Sequence, residues 1–387
     1  MLRSCVQKGV LAVACITASF PAAAQEANDD ALEAELVQLE NEYAFAIGAD
    51  VWDVTAEAEI AAGHRSNPLL AAFDRVGSDV LRANLNVFAW RLPLNGWEWT
   101  NLADATFSRY LAGEVEDASL VILRSESRWT LGDRAAVSVA GHWIHHDEVV
   151  DASTLDSGFG SVRARVRSPG VEVKYVRQLG DLWELSGELG AEYSDFARPL
   201  DDFNSYAGSL EARRSLGRLG VAGAGIAFSI RDYDSRVQSA AGGRPLDGTR
   251  LRIARPSLKL HHELRGGSDL SWRVRSHLGF KSSEDNGSGW YDYRQLLAGI
   301  AASLDGARWR TNLELGWSGS LYRVQTVGFG DPPRRTHDEW SMLMRCERGL
   351  RSAWSAFVEA EVQRSRSNDP FLNYDDTLVL AGLRWNR

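Results

Sequence analysis

The sequence of 387 residues lacks an apolar run of about 18 residues, and this excludes a membrane-spanning helix. Cysteine is scarce, with three in the chain, of which Cys5 and Cys15 fall in an N-terminal segment predicted to be removed. Cys346 then remains alone, so the mature chain cannot form an internal disulfide bond. The formal net charge of −9 argues against nucleic acid as a partner.

Residues 1–24 have the composition of an export signal peptide. Arg3 and Lys8 precede an apolar segment, residues 10–20, and three alanines at 22–24 offer a cleavage site. Residues 25–49 are acidic, with leucines at helical spacing. We expect this second segment to be a periplasmic lead-in, either a marginal free helix or a helix that plugs the mouth of the following domain.

Residues 304–322 show the pattern that dominates the rest of the chain. After the turn at Asp305-Gly306, the odd-numbered residues from Trp309 to Trp317 are mostly apolar or aromatic, and the even-numbered residues are mostly charged or polar. We call each such set of alternate residues a parity. Alternate side chains of a strand point to opposite faces, so one face is apolar and the other is charged. This pattern is typical of a strand in a transmembrane β-barrel.

Similar segments recur to the C-terminus, separated alternately by short turns and longer polar loops. They predict an all-β fold for residues 50–387, namely a transmembrane antiparallel up-and-down barrel of about 16 strands. Residues 160–178 are interpreted as one long strand kinked at Pro169. A shift of the apolar parity at Arg255-Pro256 predicts a bulge. A soluble β-sandwich or propeller is the main alternative fold.

The charged parity predicts the lining of a water-filled lumen. It is interpreted either as a wall of cross-strand ion pairs or as an arginine track that guides an anionic solute or polysaccharide. The predicted lumen-lining residues are Glu57, Glu59, Glu98, Glu126, Arg163, Arg165, Arg167, Glu188, Glu192, Arg213, Arg273, Arg275, Arg308, Arg310, Glu314, Arg345, Glu359 and Glu361.

Tryptophans cluster beside the short turns. Amphipathic rings favour the boundary between membrane and water, so these residues predict a girdle at the periplasmic edge. Its members are Trp97, Trp99, Trp129, Trp183, Trp272, Trp309, Trp354 and Trp385.

No motif predicts a catalytic residue, a metal or a cofactor. His142 and His146 would stand about 13 Å apart on one strand, too far for a shared metal ion at about 2 Å from each nitrogen. Gly220, Gly223 and Gly225 have the spacing of a phosphate loop, but no helix pattern follows, and small side chains on a crowded wall explain them better. A hydrolase at the barrel rim remains an alternative function.

Two short motifs carry a resemblance to a known group. Residues 63–68, Gly-His-Arg-Ser-Asn-Pro, and the pair of segments Asn368-Asp369-Pro370 and Asn373-Tyr374 are similar to Gram-negative porin-like outer-membrane barrels that often follow tetratricopeptide repeats. The chain departs from that group because it has no such repeats and because it ends Trp385-Asn386-Arg387.

The resemblance implies an outer-membrane channel for small polar or anionic solutes, or for polysaccharide export, without covalent chemistry. Its expected partners are outer-membrane lipid and a small or polymeric anionic solute, and its oligomeric state is left open. A closed structural or assembly barrel whose extracellular loops bind a partner is the alternative from another functional class.

Overall fold

The computed structural model describes residues 52–151, 161–267, 270–328, 331–351 and 353–387. In these residues sixteen strands form one closed antiparallel sheet, in which each strand pairs with its neighbours in sequence and β1 pairs with β16. The predicted up-and-down barrel is therefore confirmed. The predicted signal peptide, 1–24, and lead-in, 25–49, lie outside the described residues. No helix in the described ranges is both long and apolar enough to span a membrane.

The strands are 13 to 19 residues long. Their bounds are β1 Trp52–Arg65, β2 Ser78–Leu94, β3 Trp97–Tyr110, β4 Ala118–Thr130, β5 Ala135–Asp151, β6 Ser161–Leu179, β7 Trp183–Phe196, β8 Phe203–Ser215, β9 Val221–Tyr233, β10 Arg252–Gly266, β11 Ser271–Asp285, β12 Tyr293–Asp305, β13 Trp309–Thr326, β14 Arg334–Gly349, β15 Trp354–Ser367 and β16 Tyr374–Asn386.

The two ends of the barrel differ in the length of their connections. At one end β2 and β3 are joined by Asn95-Gly96, whose φ angles of 53° and 73° match the two-residue turn that suits the twist of a hairpin. At the other end the connections are longer, such as residues 234–251 between β9 and β10. These are called below the short-turn end and the loop end.

Ion pairs between strands that are not neighbours identify the interior face. Arg345 on β14 contacts Glu59 on β1 at 2.6 Å, and Arg82 on β2 contacts Glu359 on β15 at 2.5 Å. Because two or more strands lie between the partners, such contacts form only on the concave side of a closed sheet. The strand register then shows which alternate residues of every other strand lie on the interior face. We call these residues the interior parity and the remaining residues of each strand the exterior parity.

The opposite parity forms the exterior and is predominantly apolar along the middle of the wall. Ile60, Leu189 and Leu210 are between 62% and 70% exposed there. Cys346 lies on this face between Thr311 and Val358.

Of the two predictions about irregular strands, the continuity of β6 is confirmed and the bulge in β10 is wrong. β6 is a single strand that continues through Pro169. At Arg255-Pro256 there is no bulge, because the pairing of β10 with β9 runs without a shift from Arg252 to Glu263.

The apolar parity changes in β10 for a different reason. Leu251 and Ile253 are fully buried in a cluster with Phe203, Tyr233 and Tyr291 at the loop end. Ile253 occupies the interior parity, opposite Arg231 of β9 and Asp285 of β11. At this end apolar side chains pack inside the barrel, whereas further down the strand they point outward.

Candidate functional site

The interior face is the candidate site, and most of the predicted lining residues lie on it. The register places these predicted residues on the interior parity: Glu57, Glu59, Glu98, Glu126, Glu188, Glu192, Arg213, Arg273, Arg275, Arg310, Glu314, Arg345, Glu359 and Glu361. Arg308 is not part of the wall, because it lies in the turn before β13.

The prediction that Arg163, Arg165 and Arg167 line the lumen is wrong. They share the exterior parity of β6 with Val171 and Val173, which are 48% and 44% exposed. On the same stretch of β6 the interior parity is apolar, so the usual pattern is reversed. The reversal occurs because β6 extends to the loop end, where apolar side chains pack inside, as in β10.

One side of the interior, from β14 through β16 to β2, holds a dense ion-pair network. We call it the paired wall. Arg345 lies 2.6 Å from Glu59 and 3.2 Å from Glu359, and its guanidinium stacks 3.8 Å from the ring centre of Phe357. The charged members of the network are Arg82, Arg345, Arg384, Glu57, Glu59, Glu347 and Glu359. Every charge here has an opposite partner.

The interior of β8–β13 is more loosely filled, and we call it the open wall. A cavity of about 680 Å³ lies against it. Two of its carboxylates are near arginines, since Glu211 bonds Arg213 and Glu263 lies 3.7 Å from Arg273. Three other charged side chains on this cavity form no ion pair with any described residue: Lys259, Arg275 and Glu314. The cavity is therefore lined by two positive side chains and one negative side chain that have no ion-pair partner among the described residues.

Three interior histidines lie flat against the wall, each opposite a glycine of the next strand. His142 faces Gly170, His261 faces Gly223 and His277 faces Gly299. A Cβ atom on any of these glycines would come within 2.2 to 2.3 Å of the ring. This confirms the interpretation of Gly223 as a small residue on a crowded wall, but sequence reasoning missed the histidines that crowd it.

Gly223→Ala is expected to destabilise the barrel by about 1–3 kcal/mol, because the added methyl group overlaps the His261 ring. The loss of stability is measured as the temperature at which half of the protein migrates as the unfolded band on a gel. Gly141→Ala is the matched control, since nothing lies within 4 Å of its added Cβ. The double variant Gly223→Ala with His261→Ala should recover most of the loss. Equal losses in both glycine variants would contradict the proposed contact.

The loop end contains a serine, a histidine and an aspartate in contact, which bears on the rim hydrolase hypothesis. His337 Nε2 lies 3.2 Å from Ser365 Oγ and 3.8 Å from Asp151 Oδ2. A catalytic triad uses both ring nitrogens, one for the hydroxyl and one for the carboxylate. Here both partners approach the same nitrogen, Ser365 is fully buried, and its hydroxyl donates to the carbonyl of Leu372. The arrangement does not match a nucleophilic site.

The histidines singled out from the sequence do not share a ligand. His142 Nε2 lies 3.1 Å from Glu192, and His146 Nε2 lies 2.7 Å from Glu148. His145 is on the exterior parity and stacks on Trp143. Among the described residues no group of three or more potential metal ligands occurs.

All eight predicted girdle tryptophans lie on the exterior parity at the short-turn end. Trp52 at the start of β1 joins them and makes an edge contact with Trp99, with ring centres 5.3 Å apart. Arginines cover several of the rings: Arg91 lies 4.2 Å from the ring centre of Trp97, and Arg348 lies 5.2 Å from that of Trp309. This edge therefore combines apolar rings with exterior positive charge.

No protein-family model and no curated protein matches the chain. Solved structures of outer-membrane barrels share its general form. OccAB1 of Acinetobacter baumannii is 9% identical with a TM-score of 0.46, covering 87% of this chain and 97% of that one. The outer membrane protein opdK of Pseudomonas aeruginosa is 10% identical with a TM-score of 0.42, covering 87% and 99%.

OmpT, an outer membrane protein of Vibrio cholerae, is also similar, with 9% identity, a TM-score of 0.42 and coverage of 88% and 98%. Such low identities and scores do not assign this chain to any of these groups. The closed sixteen-strand sheet rests on its own strand pairing.

Proposed function

We propose that this protein is a channel in the outer membrane of a Gram-negative bacterium that passes small polar or anionic solutes or exports a polysaccharide. The observation that carries the proposal is the division of charge inside the barrel. Each charged side chain of the paired-wall network has an ion-pair partner, whereas the open wall presents Lys259, Arg275 and Glu314 without ion-pair partners among the described residues. Charges of this kind are free to contact a passing solute.

The membrane location is supported by the exterior surface. Large apolar side chains stand exposed on the outward parity of the strands. In water, a contiguous exposed apolar surface of this extent would favour aggregation, but a bilayer solvates it. The tryptophans at the short-turn end lie where amphipathic rings settle at a membrane boundary. A closed sheet also leaves no unpaired strand edge, as the hydrocarbon core requires.

The preference for anions is supported by the identity of the unpaired groups. Lys259 and Arg275 are exposed on the open wall, and the nearby carboxylates Glu211 and Glu263 have arginine neighbours. The wall therefore offers one more cation than anion to a solute. Arginine also binds carboxylate and phosphate groups in a bidentate manner, which suits sugar acids and acidic polysaccharides.

The protein refolded in detergent and added to a planar bilayer is expected to give steady open-channel currents. A heat-modifiable gel shift on the same sample checks that the barrel is folded. Folded protein that stays silent would contradict the channel and favour the alternative, a closed barrel whose loops bind a partner. A barrel found in a fraction other than the outer membrane would contradict the location.

A further inference from the structure

Two clusters on the exterior face at the loop end have the same construction. In each, the two arginines of an Arg-x-Arg segment on one strand bind a single aspartate of a neighbouring strand. Arg163 and Arg165 lie 2.6 and 2.8 Å from Asp147. Arg364 and Arg366 lie 2.8 and 2.6 Å from the second aspartate, Asp375.

Both clusters have guanidinium N–H groups that no described carboxylate occupies, such as those of Arg165 and Arg364. Near the first, Arg109 and Arg167 are exposed on the same face and form no ion pair with described residues, while Glu116 and Asp117 of the neighbouring loop add negative charge. Arg75 binds Asp375 in the second cluster at 3.3 Å, and Asp338 lies opposite Arg366 in the register. The second cluster keeps one excess positive charge; the first, with Asp195 opposite Arg167, is balanced but holds Arg109 and Arg167 outside any ion pair with described residues.

Each cluster also lies at the end of an apolar groove on the outer wall. The first groove has a volume of about 910 Å³. Small side chains such as Ala62, Ala83 and Ala381 face it, between the larger Ile60 and Phe107, and it ends at Arg163 and Asp147. The second groove, of about 630 Å³, runs past Trp317, Trp340 and Met342 to Arg364. Both volumes are in the range of about 300–1,000 Å³ that small-molecule sites occupy.

The geometry points to these two grooves as binding sites for membrane lipids with a phosphorylated headgroup, in the leaflet on the loop side. The acyl chains lie in the apolar grooves, and the phosphate receives hydrogen bonds from guanidinium N–H groups that no described carboxylate occupies, those of Arg165 and Arg167 at the first groove and of Arg364 at the second. The inference rests on the proposed membrane location. Guanidinium groups without a carboxylate partner favour an anionic lipid over a zwitterionic one.

A third cluster provides an internal control. Arg250 and Arg252 hold Asp232 at 3.1 and 3.0 Å, but Arg250 also binds Asp234 at 3.2 Å, so this cluster is electrically balanced. It does not line either groove. A lipid that binds merely to surface arginines would bind here as well, whereas a lipid that needs an apolar groove beside the arginines would not.

The test is native mass spectrometry of the detergent-solubilised full chain with added diphosphoryl lipid A, with the same lipid after removal of its phosphates as the second probe. We expect up to two bound diphosphoryl lipids and about tenfold weaker binding of the dephosphorylated form. Arg163→Gln with Arg165→Gln, and separately Arg364→Gln with Arg366→Gln, should each remove one bound lipid. Arg250→Gln with Arg252→Gln should remove none.

Ala62→Phe provides a variant that leaves every charge in place. It fills the first groove on a face where apolar side chains are tolerated, and it should also remove one bound lipid. Equal binding of both lipid forms, or equal loss in all three arginine variants, would overturn the inference. Conductance of the same samples separates the two hypotheses: currents without specific lipid binding refute only the lipid sites, and a silent barrel refutes the channel.

Discussion

Arg345→Ala is expected to destabilise the barrel by about 3 kcal/mol, at the lower end of the cost of removing one partner from a buried ion pair, because Glu359 keeps Arg82 and Glu59 keeps Arg384 as partners. The side chains of Glu59 and Glu359 are only 15% and 8% exposed, and both bond Arg345. Removing the guanidinium takes one of two arginine partners from each carboxylate, and it also removes the stacking on Phe357. Urea unfolding of the refolded barrel, followed by tryptophan fluorescence, measures the loss.

Arg310→Ala is the matched control, because Arg310 is also an interior arginine in an ion pair. Its partner is Asp305 at 2.5 Å, but the two side chains are 54% and 40% exposed. Exposed pairs contribute about 0–1 kcal/mol, so this variant should unfold almost like the native protein. Similar losses for both variants would mean that the paired wall is as well solvated as the open wall.

The second large effect concerns ion selectivity. Lys259→Glu with Arg275→Glu is expected to convert an anion preference into a cation preference. At about 8 Å in water one charge acts on a passing ion with about 0.5 kcal/mol, and reversing two charges changes this by about 2 kcal/mol before screening. Salt at about 0.1 M screens roughly half of that, and because the energies of an anion and a cation shift in opposite directions, the permeability ratio changes about thirtyfold. The reversal potential in a salt gradient measures it.

Arg177→Glu with Arg214→Glu makes the same change of net charge on the exterior face, since both arginines occupy the outward parity at the short-turn end. This control should leave the reversal potential unchanged. If it shifts the potential as much as the open-wall variant does, selectivity arises from the overall charge of the protein and not from Lys259 and Arg275.

The placement of the histidines shows a limit of reasoning from single strands. The spacing of His142 and His146 predicted that they stand apart, because separation along one strand depends only on backbone geometry, and each lies against a different glutamate. The glycines beneath three histidines lie on neighbouring strands, however, and only the register brings each pair together. The same holds for Arg345 and Glu59, whose contact depends on the curvature of the closed sheet.

The sequence by itself determined the number of strands, their alternation and the end at which the tryptophans gather. These features follow from local rules: a period of two along each strand, and turn residues such as Asn95-Gly96 between strands. Even the continuity of β6 through Pro169 followed from counting the strands.

Only the tertiary structure decided which face each charged residue occupies at the loop end. Alternation says that neighbouring side chains point to opposite sides, but not which side is inside. In the middle of the wall the apolar parity faces outward, whereas near the loops Ile253 packs inside and Arg163 points out. The surroundings of a strand change along its length, so a rule inferred for the middle of the wall fails at its end.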